Sequence, residues 1–159
     1  MAAFFGSYET RTDDRYRFPL PAMLRKQAGG ERDGQWWVIR RPGGFLSLMT
    51  DMDFQEHVQN AHRVKGDGGA QNSYVAMLLH LVDPVELDKS NRVLLSPKQR
   101  KHLGIDGEKK EPVSLELVGM MNSIRVYRED QTPQDEEWFE SFDKLRQGVN
   151  NLEGVPSLL

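Results

Sequence analysis

The chain has 159 residues, 38% of them apolar and 28% charged, which is room for one ordinary domain or two very small ones. It contains no cysteine, which excludes disulfides, thiolate zinc sites and cysteine nucleophiles and points to a reducing, cytoplasmic setting. No apolar run approaches the roughly 20 residues that a membrane span requires, and the net charge of −3 argues at face value against a nucleic-acid partner.

In chain order, Ser7–Thr12 reads as extended and Asp13–Tyr16 as a polar turn, with a strand beginning at Arg17. Pro19 removes a backbone donor from that strand and predicts a free edge. Pro21 stands where a helix start tolerates it, so a short helix is expected over Ala22–Ala28, stopped by Gly29. Trp36–Arg41 and Phe45–Thr50 flank Pro42-Gly43-Gly44 as a β-hairpin. An amphipathic helix follows, with Phe54, Val58 and Ala61 on one face and Asp51 as its cap. Gly66–Gly69 reads as a linker and Gln71–Leu81 as a further helix. Val85–Leu87 is expected to be extended, Asp88–Asn91 to be a second polar turn, and Arg92 to begin a strand. Lys98–Leu103 forms a short helix behind Pro97, stopped by Gly104. A second hairpin joins Val113–Val118 to Ser123–Arg128 around Gly119–Asn122. The last helix carries Trp138, Phe142 and Leu145, with Thr132 or Asp135 as cap, and residues 148–159 read as a frayed tail.

These two series of elements are copies of one another. Residues 13–29 lie over residues 88–104 without a gap, at an offset of 75, with six identities in 17 positions. Aspartate, arginine, leucine, the Arg-Lys pair and glycine coincide, mostly at charged and glycine positions rather than at interchangeable aliphatics. Charge is also unevenly spread. Residues 1–50 hold eight Lys/Arg against five Asp/Glu and residues 86–111 hold seven against five, whereas residues 129–146 hold two against seven. The acidity is therefore concentrated in the last helix, and both motif segments are mildly basic. Units of about 50 residues bury little surface alone, so association between chains is expected from size.

The doubled Asp-x-x-x-Arg turn, with its strand, proline and Arg-Lys helix, resembles the MraZ family, whose members carry two SpoVT/AbrB-type swapped-hairpin motifs in tandem. The resemblance runs from about Phe5 to Leu145 and includes Gly6-Ser7-Tyr8-Glu9 and Leu117-Val118-Gly119. It implies an α+β fold of two tandem swapped-hairpin AbrB-like β-barrel units with a pseudo-two-fold repeat and flanking helices. The expected divisions are residues 7–54 and 83–128 for the two units, 55–82 for connecting helices, 129–147 for a C-terminal helix and 148–159 for a tail. It further implies a transcription factor that assembles into a ring-shaped homo-oligomer and associates with the nucleoid. Such a protein binds short G-rich direct repeats in duplex DNA upstream of its own operon, the division and cell-wall gene cluster. The family usually has glycine just before the motif arginine, where this chain has Tyr16 and Asn91. Tyrosine accommodates a left-handed backbone poorly. The first turn is therefore expected to differ in shape from the second, and Arg92 to matter for specificity at least as much as Arg17.

Arg17 and Arg92 are the leading candidate DNA contacts, because a guanidinium can donate two parallel hydrogen bonds to guanine or grip a phosphate. Asp13 and Asp88 are expected to structure the turns that hold them. Arg15, Lys89, Arg11, Arg25 and Lys26 are candidate phosphate contacts, with Arg100 and Lys101 their counterparts on the second short helix. The bland alternatives are that each arginine merely closes its own turn and that the helix cations form a solvated face. The competing function is a ring-forming interaction scaffold that does not touch DNA. His57, His62, His80 and His102 show no metal-ligand spacing, and there is no phosphate loop, dinucleotide fingerprint or nucleophile motif. No enzyme activity, cofactor, metal or small-molecule substrate is expected. Trp36, Trp37, Trp138 and Phe139 are assigned to packing rather than to stacking on single strands.

Overall fold

Alternating apolar residues set the strands, and a computed structural model shows where each buried face goes. It describes residues 2–63, 68–105, 107–109 and 111–150. The first half contains β1 (Ser7–Arg11), β2 (Arg17–Pro19), α1 (Ala22–Ala28), β3 (Trp36–Arg41), β4 (Phe45–Thr50) and α2 (Asp51–Arg63). After α3 (Gly68–Leu81) the second half contains β5 (Val82–Val85), β6 (Arg92–Leu94), α4 (Pro97–Leu103), β7 (Ser114–Gly119), β8 (Ile124–Arg128) and α5 (Asp135–Asn150). No helix among the described residues is long and apolar enough to cross a membrane.

The class is α+β, with six strands in one antiparallel sheet ordered β1-β7-β8-β4-β3-β5 and a separate two-stranded ribbon of β2 and β6. The expected closed barrels are not formed by the described strands: the large sheet is open, with β1 and β5 at its edges. Its order reads the same from either end when the halves are exchanged. The first strand of each half leaves its own hairpin and pairs with the other half's, β1 on β7 and β5 on β3.

As a consequence the two halves share one core. Trp36, Val38, Leu46 and Leu48 from the first hairpin share a single buried cluster with Leu115, Leu117, Ile124 and Val126 from the second. Phe18 of β2 and Leu20 just after it, Val93 of β6 and Leu95 just after it, and Leu24 and Leu103 from the short helices complete it. Burying each such side chain is worth roughly 1.5–3 kcal/mol, so neither half keeps its core without the other. The opposite face of β3 and β4 is buried too. Ile39 and Met49 meet Phe54 of α2 and Leu78 of α3 there, and the Trp37 and Phe54 rings stack at 4.6 Å.

Several boundaries differ from the sequence expectation. The strand expected at Val85–Leu87 is β5, three residues earlier, because it must pair with β3 in the register Trp36 to Val85. Helix α3 begins at Gly68, so only part of the expected linker separates it from α2, and residues 66 and 67 lie outside the described residues. Asp51 does not cap α2: its carboxylate accepts a hydrogen bond from the Trp37 indole at 2.7 Å, and Thr50 Oγ1 accepts from the Asp53 N–H instead. At α5 the side chain that reaches a leading backbone donor is Glu137, which accepts from the Gln134 N–H, rather than Thr132 or Asp135. Helix α5 continues to Asn150 and takes in the start of the expected tail; residues 151–159 and the side chains of Phe142 and Leu145 lie outside the described residues.

Gly119 marks a close backbone approach. A Cβ there would lie 2.4 Å from the Phe5 nitrogen and 2.5 Å from the Phe4 carbonyl carbon, so only glycine lets the N-terminal segment cross β7 and seat Phe4 in the core.

Candidate nucleic-acid interface

Each motif turn is built by its own aspartate. Asp13 Oδ1 accepts from the backbone N–H groups of Arg15 and Arg17, both at 2.9 Å, and its Oδ2 accepts from Arg17 Nε at 2.8 Å. Asp88 does the same for Ser90 and Arg92 at 2.9 Å and for Arg92 Nε at 2.8 Å. The loop is closed at its base by the Asp13 N–H donating to the Arg17 carbonyl at 2.8 Å and the Asp88 N–H to that of Arg92 at 3.1 Å. The aspartates therefore satisfy backbone donors and orient a guanidinium with the same side chain.

The ribbon then brings the two turns together. In the antiparallel register Arg17 faces Leu94 and Pro19 faces Arg92. The carbonyl of each residue just before the motif arginine accepts a hydrogen bond from the other half: Leu95 N–H to Tyr16 at 3.0 Å, and Leu20 N–H to Asn91 at 2.9 Å. Arg17, Arg92, Asp13 and Asp88 thus form one cluster, with Arg92 Nη1 3.6 Å from Asp13 Oδ2.

The two turns do not differ in shape as expected. Tyr16 has φ 62° and Asn91 has φ 60°, so both take the left-handed conformation that a glycine would. For tyrosine this costs about 1–2 kcal/mol. The cost is offset because the ring is buried, its hydroxyl donates to the Gly107 carbonyl at 2.9 Å, and the Arg100 guanidinium lies 4.0 Å over its centroid. Burial of an aromatic side chain and a cation–π contact together outweigh the strain. The reason given for ranking Arg92 above Arg17 in specificity is thereby removed.

The remaining candidates divide by what already holds them. Arg15 and Lys89 are exposed on the turns themselves, Arg11 is exposed on β1, and Lys26 and Lys101 are exposed on α1 and α4. Arg25 donates from Nε to the Leu20 carbonyl at 3.1 Å, and Arg100 stacks on Tyr16, so these two are tied to the turn region. Sequence reading missed the Tyr16–Arg100 stack and also His102, whose Nε2 lies 2.8 Å from the Arg41 carbonyl and 3.1 Å from that of Phe45. Both neighbours only accept, so that nitrogen carries the proton and fastens α4 to the first hairpin. No local sequence signal marks either contact, since the partners are 84 and 61 residues away. No group of three or more metal-ligating side chains occurs among the described residues.

Burial raises the Asp13 pKa, but the hydrogen bonds from Arg17 and Arg15 and the adjacent Arg17 charge outweigh it and hold the carboxyl below its ordinary value. For Asp88 the hydrogen bond from the Arg92 N–H is the largest influence, and the carboxyl is again lowered. A depressed carboxyl stabilises the fold fully above its unfolded-state pKa and loses that contribution as pH falls through the folded-state value. Both turns are therefore expected to hold to below about pH 4 and then open. In an NMR pH titration the amide signals of Arg15, Arg17, Ser90 and Arg92 should move together in that acid range. Movement centred above the ordinary aspartate pKa would contradict the assignment.

No family model matches the chain. It is 30% identical over 130 residues to the transcriptional regulator MraZ of Idiomarina loihiensis, covering 80% of each chain. It is 28% identical over 139 residues to the protein of the same name from Cereibacter sphaeroides, covering 80% of this chain and 81% of the relative. A Corynebacterium urealyticum protein of that name is 24% identical over 124 residues, covering 78% and 80% respectively.

Proposed function

Because the chain belongs to the MraZ family of transcriptional regulators, we propose that it binds duplex DNA sequence-specifically and presents the β2–β6 ribbon to the major groove. The observation that carries this reading is the convergence of Arg17 and Arg92 on one two-stranded ribbon, each held at Nε by its own aspartate. A ribbon is narrow enough to enter the major groove, and anchoring at Nε leaves both terminal nitrogens of Arg17, and Nη2 of Arg92, for guanine O6 and N7. Arg15, Lys89, Arg11, Arg25, Lys26, Arg100 and Lys101 are assigned to phosphate contacts around it. Residues 7–54 and 83–128 are taken as two interleaved SpoVT/AbrB-like units, joined by the helices of 55–82 and followed by the helix of 129–147.

One ribbon offers few cations, so a single chain binds weakly and an oligomer engaging several repeats gains by avidity. Exposed Met23, Leu94, Met77, Leu79 and Phe139 supply apolar surface for a closed homo-oligomer. The targets in this reading are short G-rich direct repeats upstream of the protein's own gene, in the division and cell-wall cluster, and the protein works in the cytoplasm on the nucleoid. Footprinting on that DNA across a salt series is the test. Protected repeats should appear at low salt and weaken steeply as salt rises, because bound cations release counterions. A folded protein that leaves the upstream DNA unprotected at low salt would instead be a scaffold that does not touch DNA.

A further inference from the structure

The two motif turns match in their own hydrogen bonds and differ in how they reach each other. Asp13 Oδ2 lies 2.8 Å from Arg17 Nε and also 3.6 Å from Arg92 Nη1, across the ribbon. Asp88 Oδ2 lies 2.8 Å from Arg92 Nε. Among the described residues no ion pair joins Asp88 to Arg17. Arg92 is thus hydrogen-bonded to its own aspartate and lies within ion-pair distance of the other turn's, while Arg17 has only its own aspartate as a charged partner among the described residues. The arginine side chains are 25% and 31% exposed and the aspartates 30% and 34%, so the cluster is accessible to a ligand and partly shielded from water.

We infer that Asp13 is a positioning residue for both motif arginines, fixing Arg17 directly and Arg92 across the ribbon, whereas Asp88 positions Arg92 alone. The inference rests on the proposed reading of DNA by these arginines. A guanidinium hydrogen-bonded at Nε alone still pivots about its side-chain torsions, and a second carboxylate near Nη1 narrows that range electrostatically. Asp13 therefore couples the two turns into a single recognition unit and makes its two halves unequal: Arg92 is biased by both carboxylates, and among the described residues no carboxylate pairs with the terminal nitrogens of Arg17.

Asp13→Asn and Asp88→Asn make this testable, because each removes one negative charge and each keeps an amide oxygen to accept from the turn's backbone donors. Both should raise affinity for scrambled duplex similarly by reducing repulsion of phosphate. They should differ in discrimination. The ratio of dissociation constants for scrambled and operator DNA is expected to fall about tenfold or more in Asp13→Asn, the scale of one lost bidentate base contact, and clearly less in Asp88→Asn. Equal losses, or a larger loss in Asp88→Asn, with both variants folded, would overturn the inference.

A second arm needs no DNA. In urea unfolding, Asp13→Asn combined with Arg92→Ala should be non-additive by about two- to fivefold in the unfolding constant, the range for partly exposed ion pairs. Asp88→Asn combined with Arg17→Ala should be additive. Additivity in both pairs overturns the cross-ribbon role of Asp13. Non-additivity in the first pair, in a protein that binds no DNA, leaves that coupling standing and refutes its use in DNA reading together with the proposed function.

Discussion

Trp36→Ala is expected to destabilise the protein by about 3–5 kcal/mol, the range for emptying a fully buried aromatic site. Trp36 has no exposed surface, its ring lies 6.0 Å from that of Phe4, and its Nε1 donates to the Arg32 carbonyl at 3.0 Å. Its strand pairs on one side with β4 and on the other with β5 of the second half, where Trp36 faces Val85. The cavity would open in a core to which both halves contribute, with Leu115, Leu117 and Ile124 in the same cluster as Val38 and Leu48. Because that core is shared, urea unfolding of the native protein should be one transition and the variant should show the same single transition at a lower midpoint. If residues of the second half kept their native signals while those of the first half melted, the core would not be shared in the way the packing indicates.

Alanine at Arg17 or at Arg92 is expected to remove about 1–3 kcal/mol for each base pair that the arginine reads, and to flatten the difference between operator and mutated repeat. In an oligomer every subunit carries the substitution, so the loss multiplies across the repeats engaged. Lys26→Ala should behave differently. That side chain is exposed on α1, and removing a phosphate contact there weakens all DNA alike and lowers the salt slope by about one ion. Binding curves on operator and scrambled duplexes at several salt concentrations separate the two behaviours. Asp13 and Asp88 each lose a charged partner in the arginine variants, so circular dichroism and light scattering must accompany the binding data. If both arginine variants stay folded and oligomeric and discriminate as the native protein does, the arginines close turns and read nothing.

The sequence by itself determined what is local. The doubled Asp-x-x-x-Arg spacing is four residues long, so one aspartate can cap its own turn and hold its own arginine without help from the rest of the chain, and both turns do so with nearly the same distances. Hairpins around Gly43-Gly44 and Gly119–Asn122, the short helices beside Pro21 and Pro97, and the α2 face of Phe54, Val58 and Ala61 were legible for the same reason. The offset of 75 residues even contains the position of β5, since Ser7–Arg11 carried forward gives residues 82–86; apolar residues alone placed that strand three residues late.

Only the tertiary structure decided which strands meet. A period of two says which side chains share a face and is silent about the neighbour, so the pairing of β1 with β7 and of β5 with β3 could not be read from alternation. The merging of two small cores into one and the opening of the expected barrels into a six-stranded sheet follow from that pairing. Tyr16 makes the same point at one residue. Local preference disfavours tyrosine at φ 62°, and the contacts that outweigh the preference come from Gly107 and Arg100, brought there by the fold. The reach of Asp13 to Arg92 is likewise a property of the ribbon register, because residues 79 positions apart become neighbours only when β2 and β6 pair.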